Sequence, residues 1–364
     1  MKNITKNLPD GWEKKAKELG AMRSDSGVIR RAESLLRLNM LYVTNEGSFQ
    51  QAALGMALTE GIVMSKVAAF NRIKNSGEWL RWMSKEKLEN EGMTLSKPEL
   101  LGGRNITLVD ASDEGVKGSR QSDYRLHYAF DLFNFQCKNV EVTSIKEGEK
   151  LGRYSINEGE IIIADRIYCT MSGIEHVLKQ KGDFVLRFKS KAFNLYDSEG
   201  QRLELLPLLR HLKVLENTDI HCFYRLPDGT HRPIRIVAMK KDAKAIEASK
   251  RKMARKVSKK QEKAIQADTV ELNEYVVLAT SLEDTNVQIL ELYRTRWQVE
   301  QVFYRLKLLF GYGDTPSKRD DTAQAWFFGK LLLAAICEGI LKRMSFSPEL
   351  DPIIAGIVGA QCLE

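Results

Sequence analysis

Cysteine is scarce and unpatterned in this 364-residue chain: Cys137, Cys169, Cys222, Cys337 and Cys362 are odd in number and form no CxxC pair. That argues against a disulfide framework or a cysteine zinc site and fits a reduced, cytoplasmic protein. Histidine is equally sparse, and its five copies show no pairing that suggests a protein nucleophile with its base. No run of about 18 apolar residues occurs, so no membrane-spanning helix is expected. The longest apolar patch, Leu331 to Cys337, is too short. The N-terminal MKNITKNLPDGWEKK lacks the apolar stretch of a secretory leader.

Acid is in deficit, with 56 Lys/Arg against 48 Asp/Glu and a net charge of +8. A basic excess favours polyanionic partners through counterion release. It is unevenly placed: Lys240 to Lys263 holds eleven Lys/Arg against three acids. Lys250, Arg251, Lys252, Arg255 and Lys256 in this stretch are candidate phosphate contacts, and a solvated helix or loop is the other reading. A hydrophobic content of 43% supports a substantial core.

The texture divides the chain into an N-terminal helical region (1–100), a strand-rich part (101–190), a β-rich insertion with a basic helix (191–267), a second core part (268–345) and a C-terminal tail (346–364). Helical periodicity covers Ser24 to Leu38, Ser48 to Ala57 and Ser65 to Met83, with Ser48 and Ser65 as N-caps and a turn at Thr59-Glu60-Gly61. Either a small DNA-binding module or a plain helical bundle fits this region. Strands are predicted at Ile106 to Asp110, Tyr124 to Leu132, Asn139 to Ile145, Glu160 to Asp165 and Phe184 to Lys189, with a helix from Ser172 to Gln180. Antiparallel strands follow to residue 239, turning at Pro227-Asp228-Gly229, then a basic helix over 241–265 and a strand from Glu274 to Thr280. A last amphipathic helix runs from Thr322 to Met344. The pattern predicts a mixed α/β sheet.

The most specific feature is Tyr293, Arg296, Glu300 and Lys307, within YRTRWQVEQVFYRLK. On one α-helix advancing about 100° per residue these four fall within an arc of roughly 60°. Val299, Val302, Phe303, Leu306, Leu309 and Phe310 occupy another arc and suit burial. A carboxylate flanked by cations on a rigid element suits a metal ion and a phosphate backbone, and a solvated stripe of local ion pairs is the plainer alternative.

Two further carboxylates share a local grammar. LVD and IIIAD place Asp110 and Asp165 at the ends of apolar strands. A charge at that position is expected to face a cleft rather than the core, or to cap a turn. Together with Glu300 they make a three-carboxylate, oxygen-only site suited to Mg²⁺ or Mn²⁺, and two such ions about 4 Å apart can activate a nucleophile and stabilise a leaving oxygen.

The Tyr-(2)-Arg-(3)-Glu-(6)-Lys spacing resembles the YREK signature of bacterial insertion-sequence DDE transposases, often called the "insertion sequence four" family. LVDASD and IIIADRIY resemble its first and second aspartate motifs, and GSFQQAAL…SKVAAFNRIKNSGEWL its preceding helical region. The likeness spans roughly residues 20 to 345. It implies an RNase H-like core and metal-dependent DNA strand cleavage and transfer. By resemblance, Asp110, Asp165 and Glu300 are the catalytic metal ligands for two Mg²⁺ or Mn²⁺ ions, and Tyr293, Arg296 and Lys307 contact the DNA end. Tyr275 is the nearest candidate for an aromatic that stacks on a flipped base, with an ordinary strand tyrosine as the alternative. Arg187 and Lys189 resemble the family's basic DNA contacts and read equally as a polar strand edge. The implied partners are double-stranded DNA (terminal inverted repeats and target) and a second copy of the chain in the DNA complex. A nuclease that cuts without joining and an inactive DNA-binding repressor remain as rivals.

Overall fold

The computed structural model describes residues 2–22, 27–90, 103–189, 192–260 and 267–344. Its N-terminal part is helical: α1 (Lys2–Thr5), α2 (Trp12–Glu18), α3 (Ala32–Thr44), α4 (Phe49–Glu60), α5 (Lys66–Ile73) and α6 (Gly77–Asn90). Ser48 and Ser65 cap α4 and α5, accepting from the amides of Gln51 and Ala68 at 3.2 and 3.1 Å. Gly61, with φ of 67°, ends α4 in the left-handed conformation. The helix predicted from Ser24 starts later, because Arg31 is extended, and Ser24 itself lies outside the described residues. The stretch predicted as one helix from Ser65 breaks before Gly77. A Cβ at Gly77 would lie 3.2 Å from Gln324 Cβ, so glycine lets α6 approach the last helix, α13 (Asp320–Met344).

The strands are β1 (Ile106–Gly115), β2 (Ser122–Asp131), β3 (Gln136–Ser144), β4 (Ile161–Ala164), β5 (Asp183–Arg187), β6 (Leu195–Tyr196), β7 (Arg202–Leu203), β8 (Asn217–Arg225), β9 (His231–Lys240) and β10 (Tyr275–Thr280). They form one ten-stranded sheet in the order β3-β2-β1-β4-β5-β10-β9-β8-β6-β7. β1, β2 and β3 pair antiparallel, while β4 and β5 run parallel to β1. The crossover from β4 to β5 is α7 (Met171–Lys179), capped by Thr170. This mixed sheet has the RNase H-like arrangement. The strands of the expected insertion continue the same sheet, because β10 pairs with β5 on one side and β9 on the other. The remaining helices are α8 (Leu205–Leu209), α9 (Ala243–Lys260), α10 (Ala267–Leu272), α11 (Asn286–Arg294) and α12 (Trp297–Phe310).

Each sheet face has its own core. On one, Ile106, Leu108, Ile161, Ile163 and Val185 pack with Ile289, Val299 and Phe303 of α11 and α12, with Phe327 and Leu331 of α13, and with Leu35, Met56 and Trp79 of the N-terminal helices. On the other, Val109, Ile162, Ala164, Phe184 and Leu186 pack with Ile174 and Val177 of α7 and Leu209 of α8. The N-terminal helices thus share a core with α13 and the sheet.

Candidate active site

Strand alternation decides which side chains meet. Side chains point to opposite faces in turn, so Asp110 shares the face of Ile106 and Leu108, and Asp165 that of Ile161 and Ile163. β1 and β4 are parallel and pair Val109 with Ala164. The next residues along each chain are Asp110 and Asp165, so the two aspartates leave neighbouring strands side by side. β4 stops at Ala164, one residue short of the predicted end at Asp165. β1 does not stop at Asp110: it runs on to Gly115, because β2 continues to pair with it and sets Tyr128 opposite Asp110. The same face is covered by α11 and α12, and α12 brings the third carboxylate, Glu300.

The stripe from Tyr293 to Lys307 does not lie on one uninterrupted helix. α11 ends at Arg294 and α12 begins at Trp297. Between them the amides of Thr295, Arg296, Gln298 and Val299 bond three residues back, and Thr295 Oγ1 donates to Leu292 O at 2.7 Å. This tighter winding and the hydroxyl's back-bond shift the azimuth that even spacing predicts. Tyr293 therefore belongs to α11, with Arg296 at the start of α12. They stay in contact, the guanidinium lying 5.8 Å from the phenol ring centroid.

Arg296 spans two of the three carboxylates. Its Nη1 donates to Asp110 Oδ2 at 3.3 Å and its Nη2 to Glu300 Oε1 at 2.5 Å. Burial works against its charge, but Tyr293, Glu300 and Asp110 together raise its pKa above the usual value. Asp110 has only 17% of its side chain exposed. Burial pushes its carboxyl up to about 6; the Ala111 amide and Arg296 oppose this, while Glu300 and Asp165 add to it. Asp165 is more open, with 41% of its side chain exposed and Arg166 Nε 4.0 Å away. Among the described residues, no three His, Cys, Asp or Glu side chains close into a ready ligand cluster. The donors fit a hard divalent cation in kind, being three carboxylates on one face, but a guanidinium holds two of them.

Arg187, also on this face of β5, donates to Tyr275 O at 3.1 Å. Burial lowers its pKa, with Tyr293 and Asp165 opposing and Arg166 and Arg296 reinforcing the effect. Arg166, Arg187 and the exposed Lys189 line a cavity of about 190 Å³ at the ends of β5 and β10. Burial together with Arg187 and Arg166 brings nearby Lys241 down to about 8.

Tyr275 does not join the carboxylates. Its strand parity matches Val277 and Ala279, which belong to the opposite core, and it is 2% exposed with Lys240 Nζ 5.7 Å from its ring centroid. The ring is buried at the edge of the cavity lined by Arg166, Arg187 and Lys189, which favours the ordinary strand tyrosine over the stacking role. Lys307 is also placed unexpectedly, 2.9 Å from the buried Glu114. On α9, Lys250 pairs with Glu274 at 2.9 Å and Arg251 with Glu247 at 3.7 Å, while Lys252 and Arg255 are exposed. Lys256 lies on the same helix. Glu114 and Arg166 went unremarked in the sequence. The signal for Glu114 was its even spacing from Asp110, and for Arg166 its adjacency to Asp165.

Residues 101–336 match the family described as "Transposase DDE domain". The chain belongs to that family. It is 26% identical over 351 residues to the putative transposase InsL of insertion sequence element IS186A from Escherichia coli (strain K12), covering 94% of this chain and 92% of that protein. It is also 26% identical over 352 residues to the transposase of insertion sequence element IS421 from Escherichia coli, with the same coverage. This transposase is thus an enzyme of DNA phosphodiester chemistry, in a family whose members generally depend on divalent metal ions. Among the described residues no helix is long and apolar enough to cross a membrane.

Proposed function

We propose that this transposase binds the terminal inverted repeats of its own insertion sequence, cuts the DNA at those ends and joins them to a target by cut-and-paste. The observation that carries the reading is the placement of Asp110, Asp165 and Glu300 on one sheet face beside Arg296, Arg187 and Arg166. Asp110, Asp165 and Glu300 would hold Mg²⁺ or Mn²⁺, two ions per site, and such ions supply an activated water and neutralise charge at the phosphodiester.

The chain's own groups orient the substrate. Arg296 and Tyr293 hold the DNA end beside the carboxylates, and Lys307 meets a phosphate farther along α12, about 10 Å from Glu300 along the helix axis. Arg187 and Lys189, together with Arg166, offer charge to the neighbouring phosphates. The exposed cations of α9 and the N-terminal helices add contacts that are independent of sequence. Synapsis of two ends calls for a homodimer in the DNA complex, acting on the nucleoid in a bacterial cytoplasm.

The deciding experiment incubates the protein with a labelled duplex of the element's end, with Mg²⁺ or EDTA, beside Asp165→Ala. Cleavage should require both the metal and Asp165. Precut ends should join to target DNA; cleavage without joining would make the protein a nuclease, and binding without cleavage a repressor.

A further inference from the structure

Glu114 stands on β1 four residues beyond Asp110 and on the same sheet face. It is 4% exposed. Its Oε1 accepts from Ser112 Oγ at 2.7 Å and pairs with Lys307 Nζ at 2.9 Å. Burial raises its pKa, while Ser112 and Lys307 pull it back. A buried carboxylate is tolerated when paired and becomes costly once its partner is removed. The backbone reinforces the junction. Gly115 N–H donates to Asp314 Oδ1 at 3.0 Å, Thr315 N–H to Gly115 O at 3.0 Å and Lys117 N–H to Thr315 O at 2.8 Å.

α12 is therefore tied to β1 at two rungs, Arg296 with Asp110 and Lys307 with Glu114. Eleven helical residues span about 16 Å and four strand residues about 13 Å, so the rungs run along the two elements over similar lengths. Glu300 lies between them. We propose that Glu114 is a positioning residue: it fixes Lys307, and with it the register of α12 on β1 that sets Glu300 opposite Asp110. The Lys307 side chain stays 44% exposed, which leaves its other N–H donors for a phosphate. This proposal rests on the DNA-end reading above.

The test compares Glu114→Gln, Lys307→Gln and the double variant in the full chain. Hydrogen exchange in the DNA-free protein should quicken at least fivefold in the last turns of α12 for each single variant, with β2 and β3 unchanged. Single-turnover cleavage of the end duplex at saturating Glu114→Gln protein should slow at least tenfold, with affinity for the duplex within twofold of wild type. On the Lys307→Gln background, Glu114→Gln should slow cleavage less than twofold further. Equal exchange in α12, or additive losses in the double variant, would overturn the proposal. If Glu114→Gln loosens the whole chain, Lys307→Gln decides through α12 exchange alone. If the wild type binds the duplex but never cuts it, the functional reading fails, while exchange still decides whether Glu114 and Lys307 hold α12.

Discussion

Arg296 reaches from the start of α12 to β1 and donates to Asp110 Oδ2 at 3.3 Å. The same guanidinium bonds Glu300, so one cation bridges two carboxylates and offsets part of their charge. A divalent ion held by those carboxylates must compete with it. Arg296→Gln should therefore strengthen Mn²⁺ binding by the DNA-free protein about tenfold, or about 1.4 kcal/mol, while weakening its hold on the DNA end. Electron paramagnetic resonance titration of free Mn²⁺ measures the first effect directly. Unchanged or weaker Mn²⁺ binding would mean that Arg296 organises the carboxylates rather than competing for them.

Glu300→Gln keeps the shape of the side chain and removes its charge. Strand cleavage in Mg²⁺ should fall below detection, while affinity for the end duplex stays within a fewfold of wild type. Glu300 has 53% of its side chain exposed, so the substitution should change unfolding stability by less than about 1 kcal/mol. Wild-type cleavage by this variant would remove Glu300 from the triad.

The placement of the aspartates was legible because strand parity is a local property. IIIAD and LVD each carry a carboxylate on the face of alternate apolar residues, and parallel pairing of the two strands does the rest. The break between α11 and α12 was not legible from spacing alone. It depends on a Thr295 hydroxyl that bonds its own backbone and on amides that bond three residues back instead of four. The reading of Tyr275 depended on parity within β10, where a shift of one residue changes the face. The inward pairing of Lys307 reflects a partner 193 positions away, Glu114, which helical periodicity cannot see.

His127 gives a pH dependence of stability apart from the carboxylate site. It is fully buried on β2, with Nε2 2.9 Å from Thr143 Oγ1. Burial, with help from Arg153 and Arg125, lowers its pKa to about 4. Between about pH 6.5 and 4 the unfolded chain binds a proton there that the folded chain does not. The stability tied to the neutral ring is therefore present above pH 6.5 and is lost as pH falls toward 4, by up to about 3 kcal/mol. Urea unfolding from pH 7.5 to 4.5 should show a shallower loss for His127→Gln than for wild type. Parallel curves would assign the acid sensitivity to other groups.

The cations of α9 are not equivalent as DNA contacts. Lys250 and Arg251 already face Glu274 and Glu247, so part of their charge is compensated within the protein. Lys252 and Arg255 are exposed on the same helix. Each phosphate neutralised on duplex DNA adds about 0.9 to the slope of log affinity against log salt. Reversing Lys252 and Arg255 to Glu should lower that slope by about 2 if both meet phosphates. Reversing Lys250 and Arg251 should lower it less, because their existing partners offset part of the lost attraction. Filter binding of the end duplex across a salt series separates the cases. A slope unaltered by the first pair would leave α9 a solvated helix and place the phosphate contacts with Arg166, Arg187 and Lys189.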